Sequence, residues 1–255
     1  MGANLKIWKL ILLSMEYPLI GILTIYALNI HNNSNSEISA MSIIFVLLVY
    51  YIIYVVMSII NIYKILKVEI NEDLTKKLNE KYQEVQGKIR VIKDNKFTAY
   101  TIHSFINDII VISENLVKEL SEDMIDVIIY HEIGHIYYRH FERRFLMNFL
   151  FATIVTNIII YFNIDYAILV SIILKYLYIH IIKQHELEAD MYAVMKTQKP
   201  EVLKFVLLLS VQDKSSLFYE HPILSKRIEN INKIIDMIDK NSSPSLLKDE
   251  TIKRN

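Results

Sequence analysis

Two imidazoles and a carboxylate stand together in His131-Glu132-Ile133-Gly134-His135, and two further carboxylates, Glu186 and Asp190, follow downstream in the segment HELEAD. Histidines four positions apart fall on one face of a helix, about 40° apart around its axis, so both can turn a ring nitrogen toward one metal ion. Zinc suits this donor set. A catalytic zinc is tetrahedral with three protein ligands and one water, and the carboxylate of Glu132 is placed to take that water's proton. The third ligand has to come from elsewhere in the chain, and Glu186 is the candidate. Asp190, one helical turn after Glu186, sits where a supporting carboxylate would orient a ligating histidine. Glu188 falls off that face and reads as solvated. His185 offers a competing ligand, but it explains one residue where the spacing from Glu186 to Asp190 explains two.

An HExxH pattern alone can arise by chance, so its context decides. Ser121 is a candidate helix cap, Glu122 and Asp123 follow in the first turn, and Met124, Ile125, Ile128 and Ile129 run at helical spacing into His131. The motif is therefore on a helix.

Most of the rest of the chain is apolar. Hydrophobic residues make up 53% of 255 positions and mean hydropathy is +0.29, concentrated in long runs rather than spread at amphipathic spacing. Ile38 to Tyr63 carries no charge and exceeds the roughly 30 Å of hydrocarbon in a bilayer. Leu10 to Ile30 is a second run, interrupted by Glu16, and Phe145 to Ile164 a third without charge. Tyr166 to Ile182 is a fourth, with Lys175 near its middle, which would cost about 3 kcal/mol if it faced lipid. Lys175 therefore faces a protein or aqueous interior, or the helix leaves the membrane early. The sequence predicts a mainly α-helical integral membrane protein with four transmembrane helices. The N-terminus reads as a retained anchor rather than a signal peptide, because the run is long, holds Glu16 and Pro18, and is followed by a second span.

Lys6 and Lys9 precede the first span, Lys64 and Lys67 follow the second, Arg139, Arg143 and Arg144 precede the third, and Lys183 follows the fourth; the loops His31 to Ser39 and Asn163 to Asp165 have no basic residue. This asymmetry places both termini and the catalytic site in the cytoplasm of a multi-pass cell-membrane protein. There is no cysteine, which excludes disulfides and thiolate metal sites. Net charge is zero and no basic stripe with interleaved aromatics is visible, so nucleic acid is not an expected partner.

Between the second and third spans, Asn71 to Gln86 is polar and helical in pattern, ended by Gly87. Three β-like runs follow at Lys88 to Lys93, Phe97 to Ile102 and Asp108 to Ile112. A small sheet beside a zinc site can take an extended peptide as an added strand, or it can be purely structural. The third and fourth spans form a hairpin returning to the membrane face it left, which lets Glu186 meet the histidine pair. Helix patterns at Glu201 to Val211 and Ile223 to Ile238 precede a tail that reads as disordered. The chain thus divides into a transmembrane hairpin (1–63), a catalytic part with the sheet and HExxH helix (64–143), a second hairpin (144–183), a returning catalytic part (184–238) and the tail (239–255).

HEIGH, then ELEAD after two further spans, then His221-Pro222 and Arg227-Ile228 in HPILSKRI resemble the HtpX and type-1 CAAX prenyl protease family of integral-membrane zinc metallopeptidases; NDIIVISENLV before the metal helix agrees with it. The resemblance covers roughly Lys88 to Ile238. It implies a zincin-like core at the cytoplasmic membrane face, one Zn2+ held by His131, His135 and Glu186, Glu132 as catalytic base, Asp190 in support, and His221 and Arg227 near the site. The family's Asn-Ala-x-Ala edge strand is only approximated by Thr98-Ala99-Tyr100-Thr101. Read alone, a histidine before proline is a turn residue; within the resemblance, His221 or Arg227 can donate to an oxyanion, and Arg227 can equally pair with an acid near the ligands. His31, His103, His140 and His180 read as surface or span-end histidines. The expected partners are a peptide or protein substrate and the bilayer. Misfolded membrane proteins, a lipidated tail and a small signal peptide in need of maturation are all compatible substrates. A signalling receptor of the β-lactam-sensor type is the other reading, for which the outer loops are short, and a non-enzymatic scaffold has no need of this constellation.

Overall fold

The computed structural model describes residues 15–27, 35–103, 107–209 and 224–242, most of them helical. Helix α1 (Glu16–Ala27) is the described part of the first apolar run, and Pro18 lies in its first turn, where no backbone N–H is needed. The second run is α2 (Asn35–Leu66). The polar region holds α3 (Glu72–Lys81), a 3-10 turn at Gln83–Val85, strands β1 (Ile89–Ile92), β2 (Ala99–Ile102) and β3 (Ile109–Ser113), a short α4 (Glu114–Glu119) and the metal-motif helix α5 (Glu122–Tyr137). Then come α6 (His140–Tyr161), α7 (Ile164–Thr197), α8 (Pro200–Leu209) and α9 (Leu224–Ser242).

Met41–Tyr63 of α2, α6 and α7 are long and apolar enough to cross a membrane. The described part of α1 has 12 residues and does not reach that length by itself, so the described residues support three of the four expected spans. Leu48, Ile52 and Ile59 of α2, Leu150 of α6 and Ile173 of α7 are exposed, as lipid-facing residues would be. Inward, the helices bury Tyr17, Val46, Tyr50, Ala152, Val155 and Ala167 together. At Gly21 α1 and α6 come close: a Cβ there would lie 2.7 Å from Ile159 Cδ1 and 3.3 Å from Thr156 Cα.

Lys175 faces the protein interior. Its Nζ donates to Glu16 Oε2 at 3.0 Å, Tyr50 donates to Glu16 Oε1 at 3.0 Å, and the ammonium lies over the rings of Tyr17 and Tyr178. The charges that interrupt α1 and α7 thus satisfy each other, removing the penalty that Lys175 would carry in lipid.

The sheet has the order β1-β3-β2, with β1 parallel and β2 antiparallel to β3. Ile89, Val91, Ile110 and Ile112 pack with Leu78, Leu116 and the α5 residues Ile125, Ile129 and Ile133, whose four-residue spacing makes one apolar stripe. Asn71 caps α3 with its side chain accepting from Leu74 N at 3.0 Å, and Gly87, at φ 78, turns the chain into β1. Ser121 occupies the cap position of α5 without the side-chain bond expected of it, so Glu122 and Asp123 supply the favourable charge there. The opposite side of α5 packs through Val127 on Ala193, Val194, Leu203, Leu207, Ile231 and Ile234 of α7, α8 and α9.

Two boundaries differ from expectation. The fourth span and HELEAD are not two segments but one 34-residue helix, α7, about 51 Å long at 1.5 Å per residue. Likewise the third span begins at His140, directly after the metal-motif helix. Positions 144 and 184 fall inside α6 and α7. Residues 210–223, including His221, and the tail from 243 lie outside the described residues, as does His31.

Candidate metal centre

The histidines are presented by α5 and the third carboxylate by α7, and the two helices touch because Gly134 has no side chain. A Cβ at Gly134 would lie 3.0 Å from Ala189 Cα and 3.1 Å from Tyr192 Cβ. Across this contact His131 Nε2 lies 3.2 Å from His135 Nε2 and 3.7 Å from Glu186 Oε2, while His135 Nε2 lies 3.6 Å from Glu186 Oε1. Ligands placed about 2.0–2.1 Å from a tetrahedral centre are separated by roughly 3.3–3.4 Å, so these distances, the two to Glu186 running to different carboxylate oxygens, are close to those one zinc ion needs. His131, His135 and Glu186 form the group of the described residues able to hold a metal.

The surroundings fit a bound cation as well. His131 Nδ1 lies 3.0 Å from Asp190 Oδ1 but off the line of a hydrogen bond, so the contact is electrostatic; the carboxylate favours a neutral His131 with its hydrogen on Nδ1 and its Nε2 lone pair toward His135 and Glu186. Burial disfavours charge on His131, but the Asp190 carboxylate more than offsets this and its pKa is raised. For His135 the Glu186 carboxylate, 3.6 Å away, is too weak a counterweight: burial and the neighbouring His131 push its pKa down to about 3. Asp190 is fully buried and is gripped by Arg227, whose Nε donates to Oδ2 at 2.7 Å and whose Nη2 donates to Oδ1, the oxygen facing His131, at 2.5 Å. Burial would depress the Arg227 pKa, but the Asp190 carboxylate reverses this and raises it. Of the two roles open to Arg227, this bidentate fork is the one the geometry displays.

Glu132 is buried beside the pair, and Thr101 Oγ1 of β2 donates to its Oε2 at 2.7 Å. Within Thr98-Ala99-Tyr100-Thr101, the last residue thus sets a hydroxyl against the candidate base. Among the described residues no strand pairs with the outer edge of β2.

Several side chains lie elsewhere than expected. Glu188 is not simply solvated: its Oε2 accepts from His140 Nε2 at 2.9 Å and from Arg143 Nη1 at 2.8 Å. His140 stands at a span end, as the first residue of α6, but it is not a surface histidine: it is 1% exposed, with its Nδ1 2.8 Å from His135 Nδ1. His103 is half-buried, bonded through Nδ1 to Asp108 at 3.0 Å and stacked on Phe141. His180 is exposed, as expected. His185 does not join the ligand triangle; its ring stacks on that of His140 with centroids 4.2 Å apart and planes 5° from parallel. Helical spacing could not have found His140, because Arg139 between it and His135 is in the left-handed conformation and breaks the periodicity.

No curated protein sequence matches the chain significantly. The crystal structure of S. mikatae Ste24p superposes with a TM-score of 0.58 at 20% sequence identity, covering 88% of this chain; the chain spans 66% of that structure's length. The likeness extends the fold comparison across the membrane helices as well as the polar part. Residues 64–235, which contain every residue of the metal centre just described, match the profile of peptidase family M48. The chain belongs to peptidase family M48, the HtpX and CAAX-protease-like metallopeptidases that its motifs resemble.

Proposed function

We propose that the protein is a multi-pass zinc metalloendopeptidase that cleaves peptide bonds at the cytoplasmic face of the membrane. The observation that carries this is the triangle of His131 Nε2, His135 Nε2 and Glu186 with the Glu132 carboxylate beside it. Zinc, when bound by these three side chains, supplies Lewis-acid polarisation of the scissile carbonyl and acidifies a water. Glu132 accepts the attacking water's proton and passes it to the leaving amine, while Thr101 holds its carboxylate in place. Asp190 orients His131, and Arg227 neutralises Asp190. His221, carried over from the family resemblance, would donate to the developing oxyanion.

An extended peptide added to the outer edge of β2 would run past Thr101 and so past Glu132, which supports a strand-addition mode of binding. The cytoplasmic orientation rests on the lysine and arginine asymmetry of the loops. Glu132→Gln separates binding from chemistry: zinc content should be unchanged while cleavage of a peptide substrate falls by about 10² or more, the general-base contribution. A Glu132→Gln protein that cleaves near the wild-type rate is incompatible with this mechanism.

A further inference from the structure

The left-handed residue Arg139, at φ 55 and ψ 45, breaks the chain between α5 and α6 and folds His140 back against His135. Three contacts then follow one another: His135 Nδ1 to His140 Nδ1 at 2.8 Å, His140 Nε2 to Glu188 Oε2 at 2.9 Å, and Arg143 Nη1 to the same Glu188 oxygen at 2.8 Å. His140 is 1% exposed and its plane is fixed by the parallel stack on His185. We propose that His140 is a positioning residue for the metal centre, which together with Glu188 fixes His135 in the tautomer whose Nε2 can ligate. The proposal rests on the metal reading given above.

The tautomers follow from donor and acceptor rules. Glu188 only accepts, so a neutral His140 places its hydrogen on Nε2. His140 Nδ1 is then a bare acceptor, and at 2.8 Å from it His135 Nδ1 must carry a hydrogen. That leaves His135 Nε2 with its lone pair directed toward His131 and Glu186. The reverse arrangement sets the lone pair of His140 Nε2 against a carboxylate oxygen at 2.9 Å, which is repulsive. Arg143 already neutralises Glu188, so the carboxylate does not require a second proton on the ring. A ligating histidine ordinarily gives its second N–H directly to a carboxylate, carbonyl or water; here a neutral ring stands between them and carries the same orientation one residue further.

The test uses the full chain in detergent, zinc affinity by chelator competition, and the melting temperature of the metal-free protein. His140→Phe keeps a ring to stack on His185 and removes both nitrogens. It should weaken zinc binding by about 10- to 100-fold, the usual effect of losing a ligand's partner, with the metal-free Tm unchanged. The visible bands of the cobalt-loaded protein should shift with it, since a freed His135 ring changes the ligand field. Should His140→Phe fail to fold, Glu188→Leu, at a half-exposed site, tests the same chain and should weaken zinc by about tenfold. Wild-type protein that binds no zinc defeats the metal reading and the proposal together. Wild-type binding with the same Kd in the folded variants, or a lowered Tm with no change in Kd, defeats the proposal alone.

Discussion

His131 and His135 lie four residues apart on one helix, yet the structure supports them in opposite ways. Behind His131 is a closed chain of charge: Asp190, fully buried, and Arg227, itself largely buried and bonded to it twice. Behind His135 is a neutral ring, His140, leading out to Glu188 and Arg143, both half-exposed. The first support excludes water and depends on every charge having its partner; the second ends where water can replace what is removed. Orientation of a ligand can thus be built from buried charge or from hydrogen bonding that reaches the surface, and the two differ in what a mutation leaves behind.

The largest expected effect is on the buried side. Asp190→Asn leaves the Arg227 guanidinium without its counter-charge, and breaking a buried pair typically costs about 3–5 kcal/mol. Thermal unfolding should show a loss of that order along with zinc. The equivalent change at Glu188, Glu188→Gln, should cost less than about 1 kcal/mol, as exposed pairs do. Similar losses from both variants would erase the distinction between the supports. Gly134→Ala comes next and bears on both histidines equally. The new methyl meets the backbone of Ala189 at 3.0 Å, inside a 34-residue helix that cannot easily yield. Overpacking of this kind costs about 1–3 kcal/mol, and zinc affinity should fall because Glu186 is pushed away from the pair. Unchanged zinc affinity in Gly134→Ala would show that the helix contact does not set the triangle.

Much of this site is legible in the amino-acid sequence. The stripe Ile125, Ile129 and Ile133 marks a helix, that helix puts His131 and His135 on one face, and an apolar hairpin of two spans of similar length returns Glu186 near its origin. The β-branched runs mark the strands. What stays hidden has a physical pattern. Glu16 and Lys175 meet across 159 positions, and no local period links them. His140 is concealed by the left-handed turn at Arg139, which makes a span-end residue into a neighbour of His135. Thr101 reads as an ordinary strand threonine until the sheet packs against α5. The continuity of α7 is obscured because composition changes from apolar to charged along it while the backbone does not change at all.

A third acid on α5 gives the smallest effect and a pH dependence. Asp126, partly buried, accepts from Lys81 Nζ at 2.7 Å and Tyr82 Oη at 2.5 Å. Burial raises its pKa, but these two donors more than offset that and the net shift is downward. Its folded-state pKa being below the unfolded value, the contribution to stability is fully present above about pH 4 and is lost as pH falls through the folded value. Asp126→Asn should therefore cost about 1 kcal/mol or less at pH 7 and flatten the acid limb of a stability curve below about pH 4. An acid limb identical to wild type would remove Asp126 from the account.

The central claim is that His131, His135 and Glu186 together hold one zinc ion. Metal content of the detergent-purified full chain, measured for the wild type and for His131→Ala, His135→Ala and Glu186→Ala, tests it most directly. The wild type should hold about one zinc per chain, the stoichiometry of a site with three protein ligands, and each variant should show a clear loss. Full zinc retention in Glu186→Ala would contradict it and transfer the third ligand to another side chain.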